Sequence, residues 1–275
     1  MTRLNDGWTI PDTGFGTYPL VGEEAERATL SALEAGYRMV DTAAGYGNEG
    51  AVGAALSRTS VPRSEIVVAT KLRGRDHGYD ATLAAFERSR HALGLEYVDV
   101  YLIHWPNPSV GKYVDSWRAM ARLQADGLVR SIGVSNFTGE FIQRLVDATG
   151  VTPSINQVEL HPYFPQAQLR ALHEEAGIAT VAWSPLGKRP AGLLAEAPIQ
   201  AAARAHAVTP AQVVLRWHRE VGSIAIPKSE NPARQRENLA IDGFRLSEAE
   251  VASISGLARD DGRWFDGDPE RYEEM

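Results

Sequence analysis

The chain contains no cysteine in 275 residues, which removes disulfides, thiolate nucleophiles and cysteine-ligated zinc. No stretch approaches the run of about 18 apolar residues that a membrane-spanning helix needs. The opening residues, Met1 to Gly14, lack the apolar core of a signal peptide. Positive charge is in the minority, with 28 Lys and Arg against 35 Asp and Glu and a formal net charge of −7. The basic residues are scattered, so nothing in them suits nucleic acid or an anionic membrane surface. Cytoplasm is the expected compartment. No linker, low-complexity segment or break in composition divides the chain, and one domain over residues 1–275 is expected.

What is present is an ordinary globular composition, 44% hydrophobic and 23% charged, arranged as strands alternating with helices. β-rich runs occur at Arg38–Asp41, Ile66–Lys71, Val98–Ile103, Arg130–Val134, Ile155–Val158, Ala179–Trp183 and Ser223–Ile226, with a weaker eighth at Thr13–Tyr18. Amphipathic patterns at Glu24–Glu34, Ala81–Leu93 and Trp117–Ala125 predict helices between them. Gly36, Gly94, Gly127 and Gly177 follow helical stretches, where a left-handed terminal residue suits glycine. The first strand ends fall at Asp41, Lys71, His104 and Ser135, a spacing that matches βαβ units. Continuous apolar strands covered by helices imply a parallel sheet. Eight such units predict closure into a (β/α)₈ TIM barrel, a fold for which this length is typical. The tail beyond Arg259, acidic but carrying Trp264, Phe265 and Tyr272, is either a mobile end or a flap over the barrel mouth.

In such a barrel, side chains at the C-terminal strand ends converge on the active site. Here they are Asp41, followed by Tyr46, then Lys71 and His104. Singly, each has a plainer reading: a turn or cap residue for Asp41, a loop aromatic for Tyr46, a satisfied core histidine for His104. Lys71 is harder to dismiss, because an ammonium after a buried strand is costly without a partner. Together the four make a carbonyl reductase. Hydride delivered to a carbonyl carbon leaves charge on oxygen that must be protonated. A free tyrosine, with a pKa of about 10, is a poor acid at neutral pH. A neighbouring Lys71 ammonium is expected to lower that pKa, with Asp41 holding the lysine and His104 hydrogen-bonding the carbonyl oxygen.

The segment Gly36-Tyr37-Arg38-x-x-Asp41-Thr42-Ala43-x-x-Tyr46-Gly47-Asn48-Glu49 resembles the first signature of the aldo-keto reductase superfamily. Tyr97 to Pro106, Gly133 to Phe137, Asn156 to Pro162 and Ile226 to Ser229 with Arg234, Glu237 and Asn238 resemble its later motifs. The resemblance runs from about residue 10 to residue 257. It is strongest to the bacterial branch that includes 2,5-diketo-D-gluconic acid reductases. It implies an NADPH-dependent oxidoreductase with Tyr46 as proton donor, tuned by Lys71 and Asp41, and with His104 against the substrate carbonyl. It implies that Thr17 and Tyr18 border the cofactor, that Ser135, Asn136 and Gln157 touch the nicotinamide carboxamide, and that Trp183, Ser184, Leu186 and Gly187 follow the pyrophosphate. Lys228, Ser229 and Arg234 are implied to grip the 2′-phosphate, and Glu237 and Asn238 to meet the adenine. A dianionic phosphate among such groups favours NADPH over NADH, and the helix starting after Ser229 adds N-terminal amides suited to an anion. The resemblance also implies a monomer acting on small-molecule carbonyls.

Three other readings stand beside it. Gly45 to Gly50 is formally G-x-G-x-x-G, but the next strand ends in Thr70-Lys71 where a Rossmann fold wants an acidic residue. Asp41, His104 and His161 near strand ends could suit a metal-dependent barrel enzyme, yet no H-x-H or H-E-x-x-H pair supplies a nucleus, and no metal is expected. A non-catalytic barrel that senses NADPH is the third. For the reductase, short loops at Trp105 to Tyr113 and Leu186 to Pro190 predict a shallow, open pocket lined by Tyr18, Tyr46, Trp105 and Trp264.

Overall fold

The computed structural model describes residues 1–187, 190–265 and 267–274. Two short antiparallel strands, β1 (Thr2–Arg3) and β2 (Thr9–Ile10), come first. Eight parallel strands follow in sequential order: β3 (Phe15–Gly16), β4 (Met39–Asp41), β5 (Val67–Leu72), β6 (Val98–Ile103), β7 (Val129–Ser135), β8 (Ile155–Glu159), β9 (Ala179–Trp183) and β10 (Ser223–Ala225). The sheet closes on itself where Gly14 N donates to Ala225 O at 3.0 Å and Gly16 N to Pro227 O at 3.1 Å. The fold is a (β/α)₈ barrel, as the spacing of strand ends predicts.

Strand bounds lie within about one residue of the sequence reading except at the weak eighth. There, only Phe15 and Gly16 form a ladder with β4, because Thr13 and Gly14 turn to the other neighbour and meet Ala225 of β10 through a single bridge. The helices between strands are α1 (Gly22–Ala35), α2 (Glu49–Arg58), α3 (Tyr79–Leu93), α4 (Tyr113–Ala125), α5 (Gly139–Thr149) and α6 (Ala167–Ala176), then α7 (Pro190–Leu194), α8 (Ala197–His206) and α9 (Pro210–Glu220). After β10 come α10 (Pro232–Leu239) and α11 (Glu248–Ser255). The starts of α9 and α11 are fixed by capping boxes, Thr209 with Gln212 and Ser247 with Glu250, each satisfying backbone amides that a helix start leaves open. α4 begins a turn before its expected start because Tyr113 is itself buried, packing edge-on to Phe137 and Phe141. None of the described helices is long and apolar enough to cross a membrane.

Alternate residues of each strand face inward, and this alternation builds the site. Met39, Ala69, Val100, Leu102, Ile155, Val181 and Ile224 fill the barrel, with Leu4 and Ile10 of the N-terminal hairpin in the same cluster. The outward set, Val40, Val68, Tyr101 and Ile103, packs beneath the helices with Phe86, Trp117 and Phe141. Two residues on from Met39 and from Ala69, the same inward rows reach Asp41 and Lys71. An apolar floor therefore carries charge only at its upper rim.

Gly133, inward on β7, marks how tightly that interior is filled. A Cβ there would lie 2.6 Å from Ile155 O and 2.8 Å from Leu102 Cδ2. Gly133→Ala should therefore cost about 1–3 kcal/mol by overpacking. Urea titration reads this directly; an unchanged midpoint would mean that β7 and β8 can separate without penalty.

Candidate active site

Lys71 is fully buried and Asp41 nearly so, at 0% and 2% exposed. The Lys71 ammonium has three protons and spends all of them: on Asp41 Oδ2 at 2.7 Å, on Thr42 O at 2.8 Å and, more weakly, on Tyr46 Oη at 3.4 Å. The other carboxylate oxygen, Asp41 Oδ1, accepts from Gln157 Nε2 at 2.7 Å. β8 lies opposite β4 in the strand order, so this bond crosses the barrel. Tyr46 stands at the end of a single 3₁₀ turn, Ala44–Tyr46. The turn is pinned by buried Asn48, which accepts from Thr42 Oγ1 at 2.6 Å and donates to Thr17 Oγ1 and Leu20 O at 3.2 and 2.8 Å. The His104 ring meets the Tyr46 ring edge-on, centroids 5.6 Å apart. The four expected catalytic side chains thus come together on one rim.

Burial is the largest influence on the Tyr46 phenol and raises its pKa; the Lys71 ammonium pulls it back, and Asp41 and Glu274 push it up again, to about 12. The expected lowering below the ordinary tyrosine value is not met, because desolvation and two carboxylates outweigh one ammonium. Lys71 stays cationic. Burial acts against its charge, yet Asp41 and Tyr46 raise its pKa overall.

These groups open into a cleft of about 300 Å³. Thr17, Tyr18, Trp105, Asn136, Gln157, Trp183, Ser184, Pro185, Ile226 and Lys228 line it, together with Phe265, Tyr272 and Glu274 of the tail. Asn136 and Ser184 adopt left-handed backbone, φ 61° and 49°, which few side chains other than Asn tolerate readily. Both stand where a strand exits. Asn136 then ties three exits together, donating to His104 O and Ser135 Oγ at 3.0 Å each and accepting from Trp183 Nε1 at 2.9 Å.

The model of the aldo/keto reductase family matches residues 7–259. The chain belongs to the aldo/keto reductase family. It is 53% identical to 2,5-diketo-D-gluconic acid reductase B of Corynebacterium sp., over 99% of this chain and 97% of the relative. It is 44% identical to methylglyoxal reductase DkgA of Salmonella typhimurium, over 98% and 97%. Among solved structures it is similar to a point mutant of Gox0644 in complex with NADPH, at 43% identity and a TM-score of 0.92, covering 99% of this chain and 98% of that one.

In this aldo/keto reductase the expected cofactor residues divide into two groups. Thr17, Tyr18, Asn136, Gln157, Trp183, Ser184 and Lys228 are on the cleft wall. Ser135 lies just beneath, its hydroxyl donating to Gln157 O at 2.8 Å. Leu186 is instead packed among core residues, and Gly187 is covered by the Trp264 ring. Arg234 and Ser229 sit at the start of α10, whereas Glu237 accepts from Thr209 Oγ1 at 2.7 Å and Asn238 is buried beside Tyr37. The expected anion-binding amides are already taken. Asn231 Oδ1 accepts from both Ala233 N and Arg234 N, and Pro232 has no amide proton.

Of the expected pocket lining, Tyr18, Tyr46 and Trp105 face the cleft. The loop after His104 is short, and the tail packs against it: the Tyr272 ring lies tilted on Trp105, centroids 4.3 Å apart. Of the tail aromatics, Phe265 and Tyr272 line the cleft. Trp264 does not; it packs on His161 and Tyr163 at 4.8 and 5.4 Å, with its amide donating to Glu159 Oε1 at 2.7 Å. Lys188 and Arg189, in the second short loop, lie outside the described residues. Glu274 and the bracing role of Asn48 escape the sequence reading, whereas Phe265 and Tyr272 are among the tail aromatics it offers for a flap. The tail aromatics are a signal; a glutamate in an acidic tail carries none.

The raised Tyr46 pKa has a consequence for stability. The folded chain holds this proton to about pH 12, whereas an unfolded tyrosine releases it near pH 10. The stabilisation is complete below pH 10 and is lost as pH climbs from 10 to 12. Urea titrations at about pH 9.5 and about pH 11.5 should show Tyr46→Phe losing less stability than the parent, by roughly 1–2 kcal/mol. Parallel losses would contradict the raised value.

Proposed function

We propose that this single barrel domain, residues 1–275, is an NADPH-dependent reductase that converts small aldehydes, α-dicarbonyls and keto sugars such as diketogluconate to alcohols, with Tyr46 as general acid. One observation carries the reading. The Lys71 ammonium reaches Asp41 and the Tyr46 hydroxyl at once, at the head of a cleft that runs past Trp183 and Ser184 to Lys228. The relatives named for diketogluconic acid and methylglyoxal, and the similar structure in complex with NADPH, support it.

The donor set fits a dinucleotide phosphate. Trp183 offers an aromatic face next to Asn136 and Gln157, and the far end of the cleft offers the Lys228 ammonium with the Ser229 hydroxyl and the Arg234 guanidinium nearby. Lys228 pairs with Glu230 at 2.9 Å on the surface, a weak contact of about 0–1 kcal/mol that a phosphate dianion can displace. Because Asn231 already caps α10, side chains and not helix amides discriminate NADPH from NADH.

NADPH supplies the hydride. The chain supplies the rest. His104 and Tyr46 flank the carbonyl oxygen and fix its approach. Tyr46 keeps its proton until negative charge grows on that oxygen, then gives it up, because an alkoxide is a stronger base than a phenolate. Lys71 stabilises the phenolate that remains, and this interaction strengthens only as the proton leaves, so it favours the transition state over the bound substrate. Asp41, held by Gln157, keeps the ammonium aimed.

Tyr46→Phe should lower the rate of NADPH oxidation with methylglyoxal or phenylglyoxal at least about 100-fold, while NADPH binding, read by fluorescence titration, is retained. A variant keeping more than about a tenth of the activity would remove Tyr46 as the acid. Lys228→Ala and Arg234→Ala should weaken NADPH by at least about tenfold and NADH far less. Equal losses for the two cofactors would discard the phosphate assignment.

A further inference from the structure

The tail reaches back to the barrel rim and meets one nitrogen of His104. Glu274 Oε1 lies 2.7 Å from His104 Nδ1, and its other oxygen, Oε2, accepts from Gly74 N at 3.0 Å. Both side chains are only 12% exposed. Fully buried Asn107 brackets the backbone that carries the glutamate, its Nδ2 donating to Glu274 O at 2.7 Å and its Oδ1 accepting from Glu274 N at 3.3 Å. Glu273 accepts from Ser109 N at 2.8 Å, and the Tyr272 ring lies tilted on Trp105. The loops after β5 and β6 thus hold the tail by main chain and side chain, with its carboxylate aimed at a single ring atom.

Hydrogen-bond chemistry decides what that contact does. Burial acts against the charge of Glu274, but the His104 hydrogen bond and charge, the Gly74 amide and Arg73 outweigh it and hold the carboxyl below its ordinary value. An ionised carboxylate only accepts, so the nitrogen facing it carries a proton. A separation of 2.7 Å falls among charge-assisted bonds, which are roughly twice as strong as neutral ones. With the Nδ1 proton spent on Glu274, Nε2 is the nitrogen left for the cleft that His104 lines. Nε2 can donate to a carbonyl oxygen only when the ring holds a second proton, and a half-buried cation needs a counter-charge close by. Asp41 is already committed to Lys71 and Gln157. Glu274 is the carboxylate in reach.

We propose that Glu274 is a positioning residue for the reduction: from the tail, it fixes the proton on His104 Nδ1 and supplies the counter-charge that lets Nε2 donate to the carbonyl oxygen as charge grows there. This rests on the carbonyl-reductase reading above. Donation from a cationic ring strengthens as the oxygen becomes negative, so it favours the transition state over the bound carbonyl compound. The segment that covers the cleft therefore also completes the group that meets the substrate.

Glu274→Gln keeps the side-chain length and the backbone clamp but removes the charge. In the full-length protein it should lower kcat with methylglyoxal about tenfold, part of the loss that follows removal of an oxyanion donor, while NADPH affinity by fluorescence titration is unchanged. Gly74→Ala leaves the glutamate in the chain but places a Cβ 2.1 Å from Glu274 O; it should unseat the tail and lower kcat similarly. In a His104→Gln background, Glu274→Gln should change kcat by less than about twofold, because its effect passes through His104. A nitrogen NMR spectrum of the labelled protein with NADP⁺ reads the pairing itself. Nδ1 of His104, identified by the signal lost in His104→Gln, should be protonated in the parent and unprotonated in Glu274→Ala. An unchanged kcat in Glu274→Gln, an equal further loss in the His104→Gln background, or an unprotonated Nδ1 in the parent overturns the inference while the reductase reading stands. If the parent oxidises no NADPH with methylglyoxal or phenylglyoxal, the reductase reading itself fails, and this inference with it.

Discussion

The structure turns on an ion pair sealed inside a barrel. Two opposite charges at 2.7 Å with essentially no exposure are stable only when every remaining donor and acceptor is also satisfied, because desolvation can exceed their attraction. Here the account is complete on both sides. Lys71 has a partner for each proton, and Asp41 divides its two oxygens between Lys71 and Gln157. The pair can exist because the inward rows of β4 and β5 are apolar below it and polar above it. It gives the active site a cation whose position does not depend on solvent or on a mobile loop.

Much of this is legible in the chain. Strand periodicity and the spacing from Asp41 to Lys71 to His104 carry the barrel, and the residue types at those ends carry the chemistry, since a lysine closing an apolar strand demands a partner. Other features need three dimensions. No local pattern says that Gln157 points across the barrel to Asp41, because that contact joins residues 116 positions apart. The Tyr46 shift runs opposite to its expected direction for a related reason. A neighbouring ammonium is visible in sequence; the depth of burial and the arrival of Glu274 from the far end of the chain are not. Likewise, Asn231 reads as one more polar residue at a helix start, and only geometry shows that it has already claimed the amides there.

The candidate site and its cover therefore draw on different parts of the molecule. The candidate catalytic side chains stand at strand exits braced by buried polar residues, Asn48, Asn136 and Ser135. The cover over them comes from the tail, attached through a few polar clamps and one tilted aromatic contact. Barrels commonly divide the work in this way, with rigid elements below and variable segments above.

The cross-ties at the rim have a mechanical consequence. β3 is bonded to β4 through Thr17 and Asp41, β4 to β5 through Lys71, β6 to β7 through Asn136, and β7 to β8 through Ser135. The Gln157–Asp41 contact then braces this hoop along a diameter. A hoop with a strut resists ovalisation, the softest deformation open to a barrel mouth. Loops above it can accordingly be exchanged, lengthened or lost in evolution while the phenol and the ammonium hold their separation.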